Sequence, residues 1–357
     1  MSSDLTVAVV GATGVVGRTM VRVLEERRFP VARLRLFATA RSAGKTVFFQ
    51  GRSHVVDETD DAVLDADVVL FAGGDDASRR YAWGVAEAGG IAIDNSSTWR
   101  LDPRVPLVVP EVNGHVLREQ TGVIANPNCC AVALVMALKP IHDTAGVRRA
   151  VVATYQSVSG GGIDKMRALL AHSRELLRVS DALEFGDLAR IAEAAGTSDD
   201  DPPVAFNVRP HWRWEANGDT EEEAKIVAET GKMLDPHIQV SVTTVRVPVL
   251  VGHTLALHLD LERPLDGPAA REVLGAAAGL ELIDEPSAGR YPTPMLAAGR
   301  DPVFVGRIRP DPQDPRSLRM IVCSDNLRKG AALNAVQIAE QLLAAGRLRA
   351  RTRVAGH

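Results

Sequence analysis

Cys129 stands where a protein chain can make a nucleophile. The run Ile124-Ala125-Asn126-Pro127-Asn128-Cys129-Cys130 ends a short apolar strand, turns on Asn-Pro-Asn and opens a stretch of helix formers, residues 131–138. A thiol at a helix start lies beside unpaired backbone N–H groups and the positive end of the dipole, and both favour the thiolate. The alternative is a buried structural cysteine, because free Cys is among the most buried residue types. A reactive thiolate also needs a proton path. His253, in Val251-Gly252-His253-Thr254, sits at a glycine turn between two strands, where its ring can reach a cleft. Arg246 lies in the apolar run Val245-Arg246-Val247-Pro248-Val249. A guanidinium there is costly to bury unless it pairs, either with an internal acid or with a substrate carboxylate. Glu222 and Lys225, three apart on a helical turn, either offer opposite charges to one ligand or pair in solvent. Arg100 follows the strand end Asn95-Ser96-Ser97-Thr98-Trp99.

A second chemical unit lies at the start of the chain. The apolar run Val7-Ala8-Val9-Val10 leads into Gly11-Ala12-Thr13-Gly14-Val15-Val16-Gly17 and then an amphipathic helix over residues 18–26. Strand, glycine turn and helix make a phosphate cradle: the helix-start N–H groups face the anion and glycine lets it approach. The spacing is G-x-x-G-x-x-G, not the commoner G-x-G-x-x-G. Its place on the first strand favours a dinucleotide over an empty turn. An acid that reads the ribose is expected about 20 residues on. The stretch from Phe37 to Lys45 holds no Asp or Glu, but does hold Thr39, Arg41, Ser42 and Lys45. These suit a 2′-phosphate, so NADP is expected over NAD; the alternative is a solvated basic loop. A nicotinamide site plus an activated cysteine predicts aldehyde dehydrogenase chemistry through a thioester.

These residues need elements to hold them. Residues 34–38, 68–72 and 91–94 read as short apolar strands, with a helical stretch over 78–88. Strands alternating with helices predict a parallel, doubly wound sheet. After Ala150 the strands lengthen and alternate, over 151–155, 240–249, 253–261, 303–308 and 318–323. That predicts a mixed or antiparallel sheet with one wetter face. Residues 165–195 read as mostly helical, 196–203 as a polar loop and 330–345 as a last helix stopped by Gly346. The basic tail from Arg347 is expected to fray. The 357 residues predict about two domains. With 46% hydrophobic and 24% charged residues and a net charge of −4, nothing points to nucleic acid or an anionic membrane as partner. Three cysteines, two of them adjacent, are no disulfide framework and fit a reducing cytosol. The first residues lack the pattern of a secretory leader, and no apolar run reaches the length of a membrane span.

Several motifs recur in a specific order over nearly the whole chain. Beyond the glycine turn and Asn126-Pro127-Asn128-Cys129, they are Arg41-Ser42-Ala43-Gly44-Lys45, Asp94-Asn95-Ser96-Ser97, Tyr155-Gln156-Ser157-Val158-Ser159-Gly160, Arg246-Val247-Pro248-Val249, Gly252-His253 and Asp325-Asn326-Leu327-Arg328-Lys329-Gly330-Ala331-Ala332. Together they resemble the aspartate-β-semialdehyde dehydrogenase family, in the form found in Gram-positive and actinobacterial proteins. The resemblance implies an α/β chain: a Rossmann-type NADP-binding domain (1–130 plus 329–357), an inserted α+β catalytic and dimerisation domain (131–328), and a C-terminal helix returning to the first domain. It implies Cys129 as nucleophile, His253 as general acid/base and Gln156 as the residue that orients substrate. Arg246 would hold the α-carboxylate and Glu222 the α-ammonium, while Arg100, Asn128 and Lys225 would bind phosphate. Gly11, Thr13, Gly14, Val15, Val16, Gly17, Thr39, Arg41, Ser42, Ser159, Gly160 and Asn326 would contact NADP. No metal cofactor is expected.

The implied reaction is reduction of L-aspartyl-4-phosphate to L-aspartate 4-semialdehyde, with NADPH as donor and phosphate released. Its product feeds lysine, methionine, threonine and diaminopimelate synthesis, in a cytoplasmic homodimer. The rival is a related acyl reductase acting on malonyl-CoA or N-acetylglutamyl phosphate. Neither substrate has the free α-ammonium that Glu222 would meet. A non-catalytic binding relative has no need of Cys129, Gln156, Arg246 and His253 together. Two features depart from the family pattern. Cys130 replaces a Ser or Thr and is expected to point into the packing. Residues 177–203 and His211-Trp212-Arg213-Trp214, the latter near the expected interface, match poorly.

Overall fold

A computed structural model describes residues 5–118, 122–198, 202–210 and 213–351. The first half of the chain builds a seven-stranded sheet from β1 (Thr6–Val10), β2 (Arg33–Ala38), β3 (Thr46–Phe49), β4 (Arg52–Glu58), β5 (Val68–Phe71), β6 (Ile91–Asp94) and β7 (Val123–Ala125). The order is β3-β4-β2-β1-β5-β6-β7, parallel throughout except for the β3–β4 hairpin. That hairpin is not visible as an apolar pattern, because most of its side chains are exposed. Strands β1, β5, β6 and β7 are buried at every position, as parallel strands with both faces covered must be. Successive side chains of β1 point to opposite faces. Val7 and Val9 pack with the helix Val15–Glu26 and the C-terminal helix Leu333–Ala344. Ala8 and Val10 join the core that contains the helices Asp75–Glu87 and Cys129–Ala145. The C-terminal helix thus returns to the first sheet.

The second sheet is mixed. It holds β8 (Val147–Gln156), β9 (Arg209–Pro210), β10 (Gln239–Arg246), β11 (His253–Leu261), β12 (Leu280–Leu282), β13 (Val303–Pro310) and β14 (Ser317–Ser324), in the order β12-β13-β14-β11-β8-β10-β9. Leu255, Leu257, Leu259 and Leu261 of β11 are buried in the same core as the helix Cys129–Ala145. Every residue of that helix from Cys130 to Leu138 is buried, so it is the shared spine of both sheets. The opposite face of the second sheet is wetter and exposes Val151 and Tyr155.

Several boundaries differ from the sequence reading. Strand β10 ends at Arg246, two residues before Pro248, which has no N–H to add to a ladder. The helical stretch after residue 163 is three helices, Ile163–Leu176, Ser180–Phe185 and Leu188–Ala195, with Gly186 at φ +71° breaking the last two apart. They pack a small core of their own around Leu169 and Leu176. The last helix is preceded by a turn of wider π geometry, Arg328–Ala332. The tail does not fray at Arg347. Arg351 binds Asp67 through its backbone N–H and Nε, and its Nη atoms reach the carbonyls of Leu64, Ala66 and Ala88. Residues 352–357 lie outside the described residues, as do His211 and Trp212 of the tryptophan-rich segment.

Lys329 ties the returning segment to the first sheet. It is 1% exposed, and its Nζ donates to Glu111 at 2.6 Å, Asn334 at 2.9 Å and Gln337 at 2.7 Å. Asn334 in turn donates to the Val108 carbonyl and to Asn126. Breaking a buried pair strands the partner's charge and costs about 3–5 kcal/mol. Lys329→Met is therefore expected to lower stability by that amount in urea unfolding. A loss below about 1 kcal/mol, the scale of an exposed pair, would refute this account of the tie.

Candidate active site

The first turn of the helix Cys129–Ala145 is built by Asn128. Its Oδ1 accepts from the N–H of Cys130 (2.9 Å) and Ala131 (3.3 Å), and its own backbone N–H donates to Glu229. Its Nδ2 donates to Glu222 Oε1 at 2.9 Å, and Gln156 Nε2 donates to the same oxygen at 3.2 Å. One carboxylate oxygen therefore aligns Asn128 and Gln156 beside Cys129. The helix-start amides that sequence reasoning assigned to the thiolate are partly spent on this cap.

Side chains act on the thiol as well. The Cys129 thiol is held well below the usual thiol range, first by a hydrogen bond from Cys130 and then by nearby His253 and Arg246, against the opposing pull of burial. Cys130 is pushed well above it by burial and by the adjoining Cys129. Cys130 is fully buried, as expected, yet its sulfur also faces the reacting centre. Cys323 is raised to about 11 by burial, which marks it as inert packing.

His253 opens β11 and is fully buried. Its Nδ1 accepts the Ser157 N–H at 3.0 Å, so the neutral ring carries its proton on Nε2. Ser157 Oγ lies 3.1 Å from the same Nδ1 and donates to Asn326 Oδ1, which also accepts from Ser159 Oγ and the Gly252 N–H. The Asn326 amide is thus committed to holding the loop under His253, while the residue still lines the cavity. Arg246, 6% exposed, donates from Nη1 to the Ser157 carbonyl, and burial lowers its pKa. Gly160 leaves the room these groups use: a Cβ there would stand 3.1 Å from Arg246 Nη1 and 3.7 Å from His253 Nε2.

A cavity of about 290 Å³ collects the predicted substrate residues: Arg100, Asn128, Cys129, Gln156, Glu222, Lys225 and Arg246, with Val16, Ser159, Gly160 and Asn326. Within it, Lys225 pairs with Glu221 one turn back, not with Glu222. Arg100 is pinned by Glu229 at 3.0 Å and by the Asn95 carbonyl, and its buried Nε has no partner among the described residues. Glu229 and Ser157 escaped sequence reasoning. Glu222, Ile226, Glu229 and Met233 fall on one face at four, three and four residues, so an acid on a buried stripe was the available signal.

A second cavity of about 460 Å³ is lined by Thr13, Gly14, Val15, Arg41, Ser42 and Lys45, together with Arg18 and Arg167, which the sequence reading did not pick. Lys45 Nζ donates to Ser42 Oγ at 3.2 Å. Thr39 caps the turn Ala40–Ser42 and does not line this cavity. Gly11, at φ +82°, and Gly17 make the turn possible: a Cβ on Gly17 would meet the Gly11 carbonyl oxygen at 2.2 Å. The cradle fits a dinucleotide phosphate, with backbone at close approach and cations around it.

Comparisons with known proteins agree with this layout. Two family models match, the semialdehyde dehydrogenase NAD binding domain over residues 6–120 and the semialdehyde dehydrogenase dimerisation domain over residues 138–329. The chain is 44% identical to the aspartate-semialdehyde dehydrogenase of Aquifex aeolicus, covering 95% of this chain and 98% of that one. It is 43% identical to that of Corynebacterium glutamicum, covering 95% and 99%. A crystal structure of aspartate semialdehyde dehydrogenase II from Vibrio cholerae, complexed with ASA, superposes with a TM-score of 0.87 at 40% identity, covering 96% and 99%. On the strength of these matches over nearly its whole length, the chain belongs to the aspartate-semialdehyde dehydrogenase family.

Proposed function

We propose that the chain reduces L-aspartyl-4-phosphate to L-aspartate 4-semialdehyde through a thioester on Cys129, using NADPH. The observation that carries this is one cavity in which a depressed-pKa thiol stands with His253 behind it and an acid, Glu222, beside a buried guanidinium, Arg246. The Cys129 thiolate attacks the acyl phosphate carbonyl; the C–S bond forms and the C–O bond to phosphate breaks. Arg100 and Lys225, both facing the cavity, and the Asn128 amide receive the phosphate. Arg246 takes the α-carboxylate, Glu222 the α-ammonium, and Gln156 aligns the carbonyl. When bound, NADPH supplies the hydride that reduces the thioester. His253 presents Nε2–H to the oxyanion; the carbonyl re-forms as the C–S bond breaks, and Cys129 leaves as the thiolate it began as. No free α-ammonium exists on malonyl-CoA or N-acetylglutamyl phosphate, so Glu222 favours aspartyl phosphate over both.

The same reading places NADP in the glycine cradle, with Ser159, Gly160 and Asn326 on the nicotinamide side. Arg41 and Lys45, on a stretch from Phe37 to Lys45 that holds no acid, support NADP over NAD; Asp164, which also lines the cavity, faces Arg167 at 3.8 Å. It takes the domain limits as 1–130 plus 329–357 and 131–328. The match to a dimerisation domain and the exposed Val151 and Tyr155 on the outer face of the second sheet support a homodimer. The activity places the chain at the branch toward lysine, methionine, threonine and diaminopimelate, in the cytoplasm. Among the described residues no helix is long and apolar enough to cross a membrane.

Phosphate-dependent reduction of NADP with aspartate semialdehyde tests the reaction, run beside malonate semialdehyde and N-acetylglutamate semialdehyde. Turnover with the first alone is expected, and Cys129→Ala is expected to abolish it. Full activity of Cys129→Ala would end the assignment. In the native protein iodoacetamide at neutral pH is expected to label Cys129 and spare Cys130 and Cys323.

For the cofactor, a charged hydrogen bond is worth about 1.5–3 kcal/mol. Arg41→Ala is therefore expected to raise the KM for NADPH about 10- to 100-fold and leave that for NADH unmoved. Equal effects on both would remove Arg41 from the 2′-phosphate.

Glu229 acts through Arg100 and Asn128. Glu229→Gln is expected to raise the KM for phosphate about tenfold, the low end of a charged hydrogen bond, with a smaller change for aspartate semialdehyde. A uniform loss of activity across both substrates, or none, would show that Glu229 does not aim Arg100.

A further inference from the structure

The proposed turnover needs one thiol, and the reacting centre holds two. The sulfurs of Cys129 and Cys130 and a ring nitrogen of His253 all lie within 4.8 Å of one another. His253 Nε2 is buried and has no hydrogen-bond partner among the described residues. Cys129 is only partly buried and opens onto the 290 Å³ cavity, so the trio has an entrance. A tetrahedral zinc ion holds sulfur at about 2.3 Å and imidazole nitrogen at about 2.0–2.1 Å, which sets its ligand atoms roughly 3.5–3.8 Å apart. Closing the observed triangle to that size takes about 1 Å of side-chain movement on this scale.

We propose that Cys129, Cys130 and His253 form an inhibitory site for a soft divalent cation, with Zn²⁺ as its type. Two thiolates and an imidazole select zinc over magnesium or calcium, which take oxygen ligands. The fourth position faces the cavity and takes water. A metal-bound imidazole donates its other N–H to an acceptor. Ligation through Nε2 moves the ring proton to Nδ1, where Ser157 Oγ, 3.1 Å away, accepts it, and the Ser157 N–H gives up its present bond to Nδ1. Coordination displaces the Cys130 thiol proton to solvent, and no electron is transferred. The bound cation occupies the sulfur lone pair that attacks the substrate, so turnover stops and a chelator restores it.

The inference rests on the proposed role of Cys129 only for its kinetic readout, and Co²⁺ absorption supplies an independent one. Turnover of the full chain is titrated with Zn²⁺, each variant being compared with its own metal-free rate. Loss of a ligand is expected to cost at least the roughly 10- to 100-fold of a supporting contact. Cys130→Ser and Cys130→Ala are thus expected to need at least about tenfold more Zn²⁺ for half inhibition. Co²⁺ added to the native chain is expected to give a near-ultraviolet thiolate-to-metal band, about halved in either variant because one of two thiolates is gone. Equal Zn²⁺ sensitivity in all three proteins, or a Co²⁺ band that the Cys130 variants keep in full, would overturn the site. Absence of turnover with a normal Co²⁺ band would leave the site standing and strike the proposed reaction instead.

Discussion

The first turn of the helix Cys129–Ala145 is the constraint on which the rest of the structure depends. Asn128 spends its side chain on capping that turn and on Glu222, and its backbone N–H on Glu229. A cap of this kind is worth about 0.5–2 kcal/mol to the helix. Its larger effect is geometric. The helix is buried between two sheets from Cys130 onward, so it has little freedom to rotate. Fixing its start therefore fixes where the Cys129 sulfur stands relative to β11 and β10, which deliver His253 and Arg246 from the other sheet.

The site is consequently a junction of segments far apart in the chain. Each sheet contributes what its strand ends offer: β7 leads to the thiol, β10 ends on Arg246 and β11 begins on His253. The helix Glu221–Met233 closes the junction with two acids used differently. Glu222 gathers two amides at the cavity surface, whereas Glu229, 1% exposed, is sunk between Arg100 and the Asn128 backbone. Burial raises the pKa of Glu229, and Arg100 opposes that rise.

Much of this was legible in the sequence because it is local. The glycine turn, the helix start at Cys129 and the lone cationic side chain in an apolar strand are each encoded within a few neighbours. The parallel first sheet followed from apolar runs separated by helices. What could not be read was long-range pairing. Glu229 meets Asn128 across 101 positions, and Lys329 meets Glu111 across 218. Arg246 left an internal acid and a substrate carboxylate equally open; the structure adds that it lines the cavity and donates to the Ser157 carbonyl. Of the two readings of the Glu222–Lys225 spacing, a pair with each other is the one that fails, because an i,i+4 partner, Glu221, takes the lysine, while both residues line one cavity. The β3–β4 hairpin escaped because exposed strands carry little apolar signal.

The return of the C-terminal helix has a consequence for synthesis. Val7, Val9, Leu70 and Ile93 pack in one core with Val336, Ile338 and Leu342, so that face of the first sheet, covered in part by the helix Val15–Glu26, is not fully covered until the last segment is made. At about 5–20 residues per second, the ribosome takes roughly 10–40 s to go from the end of β7 to Leu342. For that interval the nascent chain carries a half-covered apolar face, and Lys329 and Asn334 reach their partners only at the end. The first sheet is thus the first to be synthesised and among the last parts to be finished.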